Sequence, residues 1–213
     1  MRRITFVLKL AGDRAAGVEA VRAMRRRFEA ACAQDQIGNF SIWHMEEYLF
    51  GYGESEGGFD AMRALLGELP AGVELTCAPG SMRQMYHDIG VVRADKSLIR
   101  HRVFATRLKP GCEEEYKRRH DALIEARHGV PSPGPDSNFT IWNANGYIFG
   151  YDETDTAYRP DPSLPQKTPE EEKADTVAWE TRQLEIMDWL TDDVDWLTGQ
   201  KHAPSRCIFR QNA

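Results

Sequence analysis

The sequence predicts an α+β protein made of two fused ferredoxin-like βαββαβ repeats that close into a pseudo-dimeric α/β barrel with antiparallel sheets. Three observations lead there. Residues 39–54, NFSIWHMEEYLFGYGE, match residues 138–153, NFTIWNANGYIFGYDE, at a shift of 99 without a gap, and 9 of the 16 positions are identical. The openings of the two halves also match, ITFVLKL at 4–10 against RVFATRL at 102–108. Each half then runs in one order: an apolar run, a charged helical stretch, two β-rich runs joined by a tight turn, a second helical stretch and a last strand. The repeat boundaries fall at 1–97 and 98–213. A lone βαββαβ sheet carries helices on one face only, so its other face needs a cover, and two copies in one chain supply it.

The elements follow in order. In the first copy the charged helical stretch carries Val18, Val21, Arg25, Phe28 and Cys32 on one face. The second helical stretch is short there, near Gly57–Leu69, and Tyr86-His87 falls in the last strand with its two side chains on opposite faces. In the second copy EEEYKRRHDALIEAR spans Glu113–Arg127, its acidic start suited to the helix dipole. Asn145-Gly146 is the hairpin turn between the next two strands. A Pro/Asp-rich loop, 155–169, is a lid or an insertion. A long helical segment from Glu170 to Leu197 is read from the spacing of Val177, Leu184, Met187, Leu190, Val194 and Leu197, and a strand at Ser205–Gln211 closes the chain.

Composition bounds the function. The chain has 213 residues, a formal charge of -6, 41% hydrophobic and 28% charged residues, which is ordinary globular composition. Neither half is a basic module: residues 1–98 hold 12 basic and 13 acidic side chains, the remainder 15 and 20. Binding through phosphate neutralisation is therefore not expected. No apolar run reaches the roughly 18 residues of a membrane span, and charge interrupts the N-terminal stretch before a signal-peptide core. The four cysteines, Cys32, Cys77, Cys112 and Cys207, have neither disulfide-framework nor zinc-ligand spacing, so a reducing cytoplasm is the expected location. There is no glycine-rich phosphate loop, Ser-His-Asp pattern or paired metal-ligand motif.

What remains is proton transfer without a metal or organic cofactor. Tyr116 and His120 lie four residues apart on the inward stripe Tyr116, His120, Leu123, Ile124, Arg127, so phenol and imidazole are neighbours. A histidine can take and give a proton near neutral pH. The alternative is that both are packing residues. Arg118-Arg119 reads as a solvated stretch, although Arg119 sits near the stripe. Asn138 and Trp142 have twins at Asn39 and Trp43, which points first to the fold and second to a site. Trp179, Trp189 and Trp196 occur only in the second copy, where an aromatic face can hold a sugar ring.

The segment RHRVFATRLKPGCEEEYKRRHDALIE (100–125) resembles the opening of the L-rhamnose mutarotase family, with its Lys-Pro-Gly, acidic helix start, Tyr and Arg-Arg-His. NFTIW (138–142), YIFGYDE (147–153) and, in the first copy, GESEGGF (53–59) are similar to further family segments. The chain departs from the family in DALIEA after His120, in the single Trp189, in SRCIFRQ and in the extra loop 155–169. The resemblance implies a barrel of paired sheets and an isomerase that interconverts the α and β anomers of a 6-deoxy hexose such as L-rhamnose or L-fucose. It implies Tyr116 and His120 as the acid/base pair, with Trp189, Asn138 and Trp142 shaping the pocket for a monosaccharide. No nucleic acid or membrane partner is expected, and further homo-oligomers are compatible with it. Two alternatives stand beside this reading. One is another cofactor-independent enzyme of the same barrel, of monooxygenase or lyase type. The other is a non-catalytic ligand-binding module.

Overall fold

The computed structural model describes residues 2–35, 37–91, 93, 96–130, 134–163, 167–191 and 204–211. The fold is mixed α+β, with five α-helices and two antiparallel five-stranded sheets among the described residues. The chain forms two compact units, Met1–Arg83 with Ser205–Ala213, and Gln84–Pro204. No helix among the described residues is long and apolar enough to cross a membrane.

The first unit starts with β1 (Arg2–Leu10), followed by α1 (Arg14–Ala23) and α2 (Arg25–Asp35). Asp13 caps α1 by accepting from the amides of Ala15 and Ala16. The hairpin β2 (Ile37–Met45) and β3 (Tyr48–Ser55) follows, then α3 (Gly58–Leu66) and β4 (Val73–Cys77). The second unit contains β5 (Arg83–Gly90), β6 (Ile99–Leu108), α4 (Glu113–Glu125), the hairpin β7 (Asp136–Ala144) and β8 (Tyr147–Asp155), α5 (Pro169–Leu184) and β9 (Met187–Thr191). The last strand, β10 (Arg206–Gln211), returns to the first sheet. The two strand orders are β10-β2-β3-β1-β4 and β5-β7-β8-β6-β9. The last strand before residue 97 thus sits in the second sheet, and the last strand of the chain sits in the first. The compact units therefore do not follow the sequence boundary at 97/98.

The expected helix Glu170–Leu197 is shorter than its apolar spacing suggests. It ends at Leu184, and Met187–Thr191 is a strand paired with β6. A short apolar run fits either period, and here the unpaired edge of β6 decides. Lys109 Nζ donates to the carbonyls of Leu184 and Glu185 at 2.7 and 3.1 Å, which satisfies the helix end. At the other end Thr168 and Glu171 form a capping box with Pro169 in the first turn. Val194, Leu197 and Trp196 lie outside the described residues.

Both hairpins carry a bulge at an asparagine. Asn39 and Asn138 have φ of 48° and 53°, and the register of each hairpin shifts there. Asn tolerates this left-handed conformation better than most residues. Asn138 Nδ2 donates to Glu153 Oε1 at 3.0 Å, and the Tyr151 hydroxyl donates to the same oxygen at 3.0 Å. Lys96 pairs with the other carboxylate oxygen. Asn39, Tyr52 and Glu54 repeat the arrangement in the first sheet. The bulge inverts the side-chain alternation, so Asp136 shares a sheet face with Phe139 and Ile141. The tight turn at Asn145-Gly146 has φ of 53° and 79°, as its sequence predicts.

In the first unit an apolar cluster lies at the core. Ile4, Phe6, Phe28, Phe40, Met62 and Phe209 are buried in one cluster, and the rings of Phe28, Phe40 and Phe209 lie 5.3–5.8 Å apart.

Candidate functional site

The second unit holds a cavity of about 520 Å³ between its sheet and the helices α4 and α5. Two strand positions distinguish the two sheets. In the first sheet Ile4 faces Gly53 across the β1–β3 ladder, Ile4 is fully buried, and the Met62 side chain occupies the space above Gly53. At the matching place of the second sheet Arg102 faces Asp152. An apolar pair is thus replaced by a charged one. The next pair is the same in both sheets: Phe6 lies over Gly51, and Phe104 lies over Gly150, where a Cβ would come 2.1 Å from the ring. Phe104 is therefore the floor of the cavity, and the Arg102 guanidinium lies 4.8 Å from its ring centroid.

The helices add the roof. Tyr116, His120 and Leu123 come from α4, and Thr176, Trp179, Glu180 and Gln183 from α5 at spacings of three and four. The buried residues of α5 are Glu180 and Gln183, not the leucine and valine that periodicity selects. Trp189 of β9 donates its indole N–H to Glu180 Oε1 at 2.7 Å and packs against Phe104 at 5.6 Å. Tyr86 of β5 also faces the cavity, held near Asp88 and Arg127.

Burial sets the electrostatics. Asp152 is 3% exposed and its carboxyl is pushed up to about 7, first by burial and then by the charge of Asp136, with Arg102 opposing. Its Oδ1 has no hydrogen-bond partner among the described residues. Gln183 is 2% exposed, and neither its amide oxygen nor its nitrogen has such a partner. His120 is pushed down to about 4 by burial, so it is neutral at physiological pH. Its Nδ1 lies 2.9 Å from the Tyr116 carbonyl, which can only accept. Nδ1 therefore carries the proton and Nε2 is the bare nitrogen. Burial also raises the Tyr116 phenol well above its ordinary value.

The structure brings together some of the residues selected from sequence and not others. Tyr116 and His120 stack at 4.2 Å, as their spacing requires, and both line the cavity. Tyr86 and Trp179 meet the His120 ring edge-on at 5.3 and 5.1 Å. Trp189 lines the cavity too. Asn138 does not, and its amide is engaged with Glu153. Trp142 follows Ile141 on β7 and so points to the opposite face of the sheet. Arg119, read as solvated, is buried, with Glu115 and Glu185 accepting from it at 2.6 and 2.9 Å and the Arg182 carbonyl accepting as well. Sequence reasoning missed Arg102, Asp152 and Gln183, and it placed Tyr86 in the other copy. Among the described residues no three His, Cys, Asp or Glu side chains gather as a metal site.

No protein-family model and no curated protein matches the chain. Solved structures similar to it include a "putative monooxygenase" from Lactobacillus acidophilus NCFM, at 9% identity and TM-score 0.42, covering 73% of this chain and 78% of that one. An "anthrone oxidase-like protein" matches at 12% identity and TM-score 0.44, covering 87% and 86%. A "putative monooxygenase" from Fusobacterium nucleatum subsp. nucleatum ATCC 25586 matches at 9% identity and TM-score 0.47, covering 99% and 94%. These neighbours bear oxidative names and none is named as a sugar mutarotase, and the expectation of an isomerase acting on L-rhamnose or L-fucose is corrected accordingly. Arg100, Arg102, Asp136, Asp152 and Glu180 line the same cavity as the stacked Tyr116–His120 pair, and the charge of Arg102 acts on the Tyr116 phenol.

Proposed function

We propose that the unit Gln84–Pro204 is a cofactor-independent enzyme that removes a proton from a planar aromatic substrate and passes the resulting anion to dioxygen. The observation that carries this reading is the Arg102–Asp152 pair, set in an aromatic cavity at a place where the first unit has Ile4 and Gly53. A carboxyl near 7 is half ionised at neutral pH, which suits a general base that must later return its proton. Arg102 and Arg100 hold the negative charge that develops on the substrate. Phe104, Trp179 and Trp189 offer ring faces and edges for an aromatic substrate, and the apolar walls exclude water.

For an enolisable CH2 between aromatic rings the step balances as follows. Asp152 takes one proton, and the carbanion adds dioxygen by electron transfer and recombination to give a peroxide. The peroxide regains the proton from Asp152, loses water together with the remaining C–H hydrogen, and leaves a ketone. One oxygen atom enters the product and the other leaves as water. The oxidative names of the remote neighbours agree with this class, and at their level of similarity add no weight to it. The tandem-repeat reading stands with it, supported by the like strand orders of the two sheets.

The test is dioxygen uptake with anthrone and a panel of hydroxynaphthalenes. Wild type is expected to accelerate uptake for at least one compound, and Asp152→Asn to lower that rate by about 10²–10⁴-fold. No acceleration across the panel overturns the oxidative reading. Equal rates in the variant overturn Asp152 as the base.

A further inference from the structure

Gln183 is the most unusual side chain in the cavity. It is the next-to-last residue of α5, is 2% exposed, and leaves both amide atoms without a hydrogen-bond partner among the described residues. A buried polar atom without a partner has lost its hydration with nothing in return, so native structures rarely keep two on one side chain unless something else meets them. Glu180, the neighbouring buried polar group on the same helix, accepts the Trp189 indole N–H at Oε1, at 2.7 Å. Asp152 supplies a third such atom, its Oδ1, on the wall of the same cavity.

We propose that Gln183 is a specificity-determining residue that reads the edge of the substrate, and that the substrate is a planar aromatic carrying a hydrogen-bond donor and an acceptor side by side on one edge. This rests on the reading of the cavity as the substrate site and adds which aromatic it takes. A primary amide presents one acceptor and one donor in a single plane. Its complement is a ligand edge with the two roles reversed, the match by which glutamine reads the adenine edge in DNA. Lactams, amidines and 2-hydroxyazines present such an edge, whereas a simple phenol presents a single hydroxyl. Phe104, Trp179 and Trp189 favour a flat ligand, and a cavity of about 520 Å³ admits a fused-ring compound. A hydrogen-bonding site of this kind discriminates strongly, because the wrong ligand leaves the buried amide unpaired.

The experiment compares two probes of equal size by isothermal titration calorimetry, 1H-quinolin-2-one and naphthalen-2-ol, against wild type, Gln183→Met and Gln183→Leu. Wild type is expected to bind the quinolinone at least about tenfold tighter, and both variants to bring the ratio to about one while naphthol affinity changes little. A ratio near one in wild type overturns the inference, as does binding of neither probe. A tenfold ratio that survives in a folded variant also overturns it. The wild-type ratio needs no variant, so a variant that does not fold leaves the proposal refutable. If the ratio holds but no substrate consumes dioxygen, only the oxidative reading falls. If uptake depends on Asp152 but the probes bind alike, only the role of Gln183 falls.

Discussion

Burying Asp152 for function has a consequence for stability that can be measured without a substrate. Its carboxyl moves from 3.8 to about 7 on folding, mainly because burial disfavours the charge. At about 1.36 kcal/mol per unit this is about 4 kcal/mol. The sign follows from proton binding. Below pH 4 the group is protonated in both folded and unfolded chains and contributes no difference. Between pH 4 and 7 the folded chain holds the proton that the unfolded chain has released, so stability falls as pH rises. Above pH 7 both states are ionised and the full penalty is present. Asp152→Asn has nearly the same shape and cannot ionise, so it lacks this penalty. Urea unfolding of both proteins from pH 4 to pH 8 should show the variant gaining about 4 kcal/mol on wild type across that range, whatever their difference at pH 4. Titrations shared by the two proteins cancel in the comparison. A difference that stays flat with pH, or that favours wild type at high pH, would refute the reasoning.

Three further outcomes are expected. Glu153→Ala removes the fully buried carboxylate that Lys96, Asn138 and Tyr151 all engage, and should cost about 3–5 kcal/mol in urea unfolding, with the first-sheet residue Glu54 left intact. Gly150→Ala places a methyl against the Phe104 ring and should cost about 1–3 kcal/mol in thermal or urea unfolding, together with weaker binding of aromatic probes. The His120 ring, pushed down to about 4 by burial, should show no imidazole titration by NMR between pH 5.5 and 8, and a midpoint near 6.5 would contradict its burial.

Much of the strand framework is legible in the sequence, because alternation and the Asn145-Gly146 turn are local signals. The stacking of Tyr116 on His120 is legible too, since a helix fixes the contact of residues four apart. Strand β9 was not, because MDWLT continues an apolar spacing that also suits a helix, and only pairing with β6 separates the two. The placement of Tyr86 beside His120 was hidden for a related reason. Strand β5 belongs by sequence to the first copy and by pairing to the second sheet, and pairing over such separation leaves no local trace. Asn138 looked eligible as a site residue because it is polar and at a strand start, yet its twin Asn39 shows the bulge both serve. Asp152 and Arg102 carry no motif. Their signal lies in the mismatches of the repeat, Gly53 against Asp152 and Ile4 against Arg102, and it gains meaning only when the ladder shows that the two mismatches face one another.

The most direct test is whether the cavity ionises a bound aromatic. A chromogenic phenol whose neutral and ionised forms absorb at different wavelengths is mixed with the protein under nitrogen at a pH where the free compound is mostly neutral. Wild type should shift the bound phenol toward its anion, and Asp152→Asn should bind it without the shift. A phenol that stays neutral in wild type, or that ionises equally in the variant, would contradict the account.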